Sequence, residues 1–390
     1  LFWFITAATV FLLLTSIGSY KTYHYSESVQ FCGQACHTPM KPEYTAYLLS
    51  AHARVDCVAC HVGSGADAYV KAKLNGMHQL MGVIKGDYQR PIKTPIRNLR
   101  PAQETCEQCH WPQKFDGNLD RTYAHFLADE TNTPFSVRLL LKVGGGDGEH
   151  GRAEGIHWHM NIANKIEYIA SDEKRQVIPW VRMTDKTGKV TEFRVAGFTN
   201  DLAKAALRRM DCMDCHNRPA HQYHAPNDSV DMAMSTGKIE TTLPWIKSNA
   251  VTVLTASYST EDEALSKISA TLRAQYGTYS KLDSLVSAVQ GIYTNNFFPE
   301  MKVSWSAYPD NLGHKNSEGC FRCHDGKHKS TDPAMKMISA TDCNSCHLIL
   351  AQGSGADLEK LNAKGNTFFH VDSPNEDFSC AECHNGALIK

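Results

Sequence analysis

All fourteen cysteines of this 390-residue chain fall into seven pairs, and a histidine directly follows each pair. Six pairs have the form C-x-x-C-H: Cys57/Cys60/His61, Cys106/Cys109/His110, Cys212/Cys215/His216, Cys320/Cys323/His324, Cys343/Cys346/His347 and Cys380/Cys383/His384. The first, C-G-Q-A-C-H (Cys32, Cys36, His37), carries one more residue between its thiols. Two thiols at this spacing can add across the vinyl groups of a porphyrin, and the tether then places the histidine beneath the iron, so the chemistry is covalent haem c attachment. Seven pairs with no cysteine left over exclude a disulfide framework, and zinc held by paired C-x-x-C units does not require a histidine after every pair. Seven haem c groups are therefore expected. The wider first motif needs a looser loop over its porphyrin, which can shift the side chain that reaches the iron.

The elements that must position these motifs begin with an anchor. Residues Leu1 to Gly18 are uncharged and almost wholly apolar, with Tyr20, Tyr23 and Tyr25 as an aromatic belt, the pattern of a helix that crosses a bilayer. The alternative is a cleavable signal peptide, but the apolar run is long for one and no A-x-A-like site precedes Cys32. Haem is attached outside the energy-conserving membrane, so we expect a single-pass anchor (residues 1–25) in the cytoplasmic membrane and a periplasmic haem domain. With about 56 residues per haem, the porphyrins must supply much of the interior. The fold expected is mainly α and poor in regular structure. The formal charge of −1 omits two propionates per haem, and nothing in it suggests nucleic acid as a partner.

Asp67 to Lys85 has helical periodicity, with Val70, Leu74, Met77 and Met81 along one side. Lys71, Lys73 and His78 lie on the same segment; such lysines ordinarily mark a solvated or membrane-facing surface. Between His110 and Cys212, Phe135–Val143, Lys165–Ile169, Val177–Met183 and Val190–Val195 alternate like strands, and D-K-T-G-K separates the last two as a turn, giving a small antiparallel insert at about 130–198. Gly144-Gly145-Gly146 breaks it. Asn200 is placed to cap a helix D-L-A-K-A-A-L-R-R-M that leads into Cys212. Residues 243–300 contain no cysteine and form a helical linker, with Leu265, Ile268 and Leu272, then Leu282, Leu285, Val286, Val289 and Ile292, as core stripes. It separates a four-motif region (26–242) from a three-motif region (301–390).

One apolar helix, then F-C-x-x-x-C-H-T-P-M-K-P-E-Y, S-A-H-x-x-V-x-C-x-x-C-H and a basic helix, resembles the NapC/NirT/NrfH family of membrane-anchored quinol dehydrogenases. The resemblance implies a first haem at the membrane surface beside a quinol pocket, and Lys71 or Lys73 as the lysine that contacts quinol. His78 falls near where that family often has an aspartate. It also implies His52 as distal ligand of the third haem and His221 of the second. The family's first motif is usually C-x-x-C-H-x-M, with the methionine able to ligate; here His37 and Met40 both qualify. The spacing departs from the smaller members, and the seven motifs look most like the heptahaem inner-membrane cytochromes of metal-reducing bacteria.

Nineteen histidines less seven in motifs leave twelve for distal positions. Candidates for the fourth haem are His125, His157 and His159, the latter two in G-I-H-W-H-M; for the C-terminal group they are His314, His328 and His370. Three functions compete. The first oxidises menaquinol and passes electrons to a periplasmic cytochrome or other redox acceptor. The second is an electron wire within a larger quinone-linked membrane complex, and a homo-oligomer is equally open. The third, a terminal reductase, needs an open or lysine-ligated iron, and the chain has no C-x-x-C-K.

Overall fold

A computed structural model describes the chain except residues 63–64, 97–98, 146–154, 161–163, 200–201, 203–204, 338–341, 372–379 and 389–390, and the side chain of residue 113. It divides into two compact units, residues 1–101 with 219–222, and residues 102–218 with 223–390.

The first unit is helical. Helix α1 (Phe2–Glu27) has 26 residues, none buried; at about 1.5 Å per residue it is about 39 Å long, enough for a hydrocarbon core of about 30 Å. Among the described residues it is the one helix with the length and apolar composition of a membrane span. Ser28 ends it and caps the next, its Oγ accepting from Phe31 N at 3.1 Å. Helices α2 (Val29–Gln34), α3 (His37–Leu48), α4 (Cys57–His61) and α5 (Ala66–Lys85) follow. Asp67 in the first turn and Lys85 in the last complement the dipole of α5, and Gly86 at φ 68° closes it in the left-handed region.

The second unit carries α6 (Ala102–Thr105), α7 (Cys212–Cys215), α8 (Pro226–Ser235), α9 (Ile246–Thr255), α10 (Glu261–Tyr276), α11 (Leu282–Asn296) and α12 (Cys380–Cys383). Thr260 caps α10 through a bond from Glu263 N at 3.2 Å, with three acidic residues in the first turn. Ile268 and Leu272 of α10 pack on Leu285, Val286 and Val289 of α11 and on Ile246, Val251 and Leu254 of α9, making the largest apolar core. Leu265, Leu282 and Ile292 line its edge. Buried Lys247 on α9 pairs with Asp231 on α8, which also accepts from Phe126 N at 3.0 Å.

Sheet pairing among the described residues is antiparallel throughout. Strands β1 (Leu119–Phe126), β2 (Pro134–Leu141) and β8 (His347–Gly353) form one sheet in that order. The other runs β6 (Arg208–Arg209), β3 (Lys165–Ile169), β4 (Trp180–Thr184), β5 (Val190–Arg194) and β7 (Lys329–Ser330). The β4–β5 turn falls at D-K-T-G-K, where Asp185 Oδ1 accepts from Thr187 N at 2.8 Å and Lys189 N at 3.0 Å. Both sheets are thus completed by strands from the C-terminal third.

The helix expected before Cys212 is not formed where it is described. Asn200 and Gly146 lie outside the described residues, but Arg208 and Arg209 are extended and pair with Tyr168 and Glu167. Arg208 Nε donates to Asp214 Oδ1 at 2.7 Å and its NH2 to Asp211 at 3.1 Å. This ladder and ion pair outweigh the modest helix propensity of D-L-A-K-A-A-L.

Candidate electron-transfer site

In four motifs the histidine N–H returns to the carbonyl of the first cysteine: His110 to Cys106 at 2.8 Å, His216 to Cys212 at 2.8 Å, His324 to Cys320 at 3.1 Å and His384 to Cys380 at 2.7 Å. A single such turn presents the first thiol and the imidazole on one side.

The thiols themselves are unequally sheltered. Cys60, Cys109, Cys320, Cys343, Cys380 and Cys383 are exposed, and the other eight are half-buried. In the third motif Cys106 lies half-buried against Cys212 and Cys109 is exposed. The 3-10 turn Cys106–Gln108 closes through a bond from Cys109 N to Cys106 O at 3.1 Å.

Among the described residues, five of the seven motif histidines face a second histidine. His61 faces His221 with ring centroids 6.1 Å apart, His216 faces His157 at 6.3 Å, and His324 faces His159 at 5.8 Å. His347 faces His314 at 6.3 Å and His384 faces His370 at 5.7 Å. Two imidazoles on opposite sides of one metal, each bonded at about 2 Å, stand on the order of 6 Å apart centroid to centroid. The spacing therefore fits a metal between each pair. The Nδ1 atoms of His314 and His347 are also buried with no hydrogen-bond partner among the described residues. Burial holds His61, His157, His159, His216, His314, His347 and His384 below the ordinary imidazole pKa. They are thus kept in the neutral form that ligates metals.

Several of these rings are oriented from behind. His221 Nδ1 lies 3.0 Å from Glu43 O and 3.1 Å from its carboxylate, and His52 Nδ1 lies 3.1 Å from Pro219 O. His157 Nδ1 is 3.2 Å from Val143 O, and His159 Nδ1 is 2.8 Å from Ile156 O. An Nδ1–H donated to a carbonyl fixes the tautomer in which Nε2 is the ligand nitrogen. His52 lies in the first unit and His110 in the second. Two candidates fall outside the pattern. His328 is buried with Nδ1 on Asp325 and Nε2 on Ile178 O, both at 2.8 Å, and His125 is bonded to Asp231 at 3.1 Å. In the first motif both candidates sit on α3, His37 exposed and Met40 half-buried.

Motif contacts follow chain order within each unit. Cys32 and Cys57 are within thiol hydrogen-bonding reach, as are Cys106 and Cys212. Cys215 neighbours Cys320, Cys346 neighbours Cys320, and Cys380 neighbours Cys343. Asp214, inside C-M-D-C-H, is heavily bonded. Its Oδ1 accepts from Tyr168 OH at 2.6 Å as well as from Arg208, and its carbonyl accepts from Asn311 at 3.0 Å and Arg322 at 2.8 Å.

In the first unit, Lys73 Nζ donates to Ser26 O at 3.0 Å and Ser26 Oγ at 2.9 Å and lies 4.9 Å above the Tyr69 ring. Tyr69 in turn packs on Tyr23 at 5.2 Å. Beside them is a cavity of about 560 Å³ lined by Tyr23, Glu27, Asp56, Val58, Ala66 and Tyr69 among others. A second, of about 390 Å³, shares Glu27, Asp56 and Val58 and adds His24 and Gln30. The charges of Lys73, Glu27 and Asp56 all act on Cys32. Lys71 and His78 are exposed, seven positions apart on α5, whereas Lys73 is half-buried; none of the three lines either cavity. Glu27, Asp56 and Tyr69 were not singled out by sequence reasoning. The signal available for them was a carboxylate at the end of the apolar run and another directly before Cys57.

Comparison with known proteins gives a consistent picture. Residues 1–130 match the N-terminal region of the NapC/NirT cytochrome c family. Across 98% of its length the chain is 42% identical to cytochrome c-type protein ImcH of Geobacter sulfurreducens, covering 77% of that protein. No solved structure matches.

Proposed function

Proceeding from the fact that the chain belongs to the NapC/NirT cytochrome c family and is an ImcH-like, membrane-anchored c-type cytochrome, we propose that it oxidises menaquinol at the outer surface of the cytoplasmic membrane. Electrons pass to a periplasmic redox protein. The observation that carries the reading is the cavity at the polar end of α1, lined by Tyr23, Glu27, Asp56 and Tyr69, with Lys73 Nζ 4.9 Å above the Tyr69 ring.

Seven haem c groups are held by the seven cysteine pairs, and each supplies one-electron acceptance when bound. His61, His110, His216, His324, His347 and His384 are the proximal ligands, with His37 or Met40 in the first motif. His221, His314 and His370 would hold the second, sixth and seventh groups from the side opposite their motif histidines. The motif regions 26–242 and 301–390 then act as input and output arms of one carrier.

Oxidising one quinol to quinone releases two electrons and two protons. Lys73 has three N–H donors, of which Ser26 takes two. The third can meet a quinol oxygen, and the ammonium charge stabilises the anion that forms as the proton leaves. Glu27 and Asp56 are the acceptors that relay the protons outward. Tyr23 and Tyr69 wall the ring.

Lys73→Ala is expected to lower naphthoquinol oxidation by about tenfold or more with haem content unchanged, the loss of one charged donor being worth about 1.5–3 kcal/mol. Lys71→Ala is expected to leave the rate unaltered. A normal rate in the Lys73 variant removes the site from this cavity. A second reading, an electron wire inside a larger membrane complex, is favoured by the exposed apolar stripe of α5 at Val70, Leu74, Met77, Met81 and Ile84. An isolated, fully haem-loaded protein that cannot oxidise quinol decides for it.

A further inference from the structure

The stretch G-I-H-W-H-M forms a 3-10 turn, Ile156–Met160, and its two histidines do different things. His157 lies parallel to His216, with an interplanar angle of 5° at 6.3 Å. His159 meets His324 at 5.8 Å and 73°. We propose that this one turn supplies axial ligands to two different haems, His157 to the group at Cys212/Cys215 and His159 to the group at Cys320/Cys323, and so clamps the fourth and fifth haems together.

Side chains two apart on a 3-10 turn, with about three residues per turn, point in directions far from one another, so neighbouring histidines can serve two targets and are poorly placed to compete for one. The turn is fixed in position. Ile156 N donates to Lys142 O at 2.8 Å and His157 N to Val143 O at 3.0 Å. Gly155, at φ 86°, allows that approach: a Cβ there would stand 2.6 Å from Lys142 O. Trp158, between the two histidines, packs against the core of Ile166, Tyr168 and Val181.

An independent contact brings the two motifs together. Arg322, inside C-F-R-C-H, donates from NH2 to the carbonyl of Asp214, inside C-M-D-C-H, at 2.8 Å. Asn311 holds the same carbonyl at 3.0 Å. The fourth and fifth motifs are thus hydrogen-bonded to each other, with the histidine turn reaching both.

The proposal rests on covalent haem at both motifs, and a pyridine haemochrome count on the native protein checks that premise separately. The test uses the full-length, haem-loaded protein with His157→Met and His159→Met, followed by low-spin haem EPR and a potentiometric titration. Each variant is expected to shift one haem signal and raise one midpoint potential, since methionine ligation raises haem potentials. The His157→Met shift should vanish in a Cys212→Ala/Cys215→Ala background, where that of His159→Met persists; a Cys320→Ala/Cys323→Ala background should give the reverse. Both substitutions acting on the same haem, or either shift surviving removal of its assigned haem, overturns the assignment. If a methionine variant fails to load haem, His157→Ala and His159→Ala with added imidazole replace it: restoration of one distinct low-spin signal by imidazole in each supports the clamp, and restoration of the same signal in both refutes it.

Discussion

The two units solve the problem of an interior in opposite ways. Among the described residues of 1–101 the buried positions are Gly33, Pro39, Pro42, Ala46 and Tyr47, all within or next to α3, whereas α1, α4 and α5 bury nothing. In the second unit, α8 to α11 assemble a conventional apolar core from a stretch without a single motif cysteine. The polypeptide makes its own core where it carries no redox chemistry. Where it does, porphyrin faces have to stand in for side chains.

That contrast can be broken most directly by withholding haem. Cys57→Ser with Cys60→Ser is expected to abolish amide exchange protection across α4 and α5 while α9 to α11 stay protected; equal protection in both would refute the idea that the first unit depends on its porphyrins. Next in size is Asp231→Leu, which leaves Lys247, 1% exposed, without its partner. Stranding a buried charge should cost about 3–5 kcal/mol in denaturant unfolding of the second unit. Leu272→Ala in α10 should cost about 2–5 kcal/mol, against about 0.5 kcal/mol or less for Leu74→Ala, which is 62% exposed on α5. Similar losses at both leucines would erase the distinction. Smallest is Arg138→Ala, which removes the exposed, solvent-screened pair with Asp120 and should leave the denaturant midpoint of the second unit unchanged.

The parts legible in the sequence were those with local causes. The motif spacing, the apolar run of α1, the stripes of α10 and α11 and the turn at Asp185–Lys189 each depend on residues within a few positions of one another. β1 and β8 escaped notice. His347–Gly353 directly follows a motif, and its partner β2 lies in the other half of the chain. Local helix propensity at Ala205–Met210 pointed the wrong way because the strand that Arg208 and Arg209 pair with, β3, lies far away in the chain. The histidines show the same division. Their number could be counted, but that His159 faces His324, and that Nε2 of His328 goes to Ile178 O, is set by tertiary packing.

The bonding around Asp214 has a consequence for rate. A charge arriving beside the fourth motif would ordinarily drag nearby dipoles into new positions, and the energy of that rearrangement slows transfer. Here the carboxylate is locked by Tyr168 and Arg208 and the carbonyl by Asn311 and Arg322, so little is free to turn. With haem held at both motifs, the network would keep the reorganisation energy low where the chain passes from its fourth motif to its fifth.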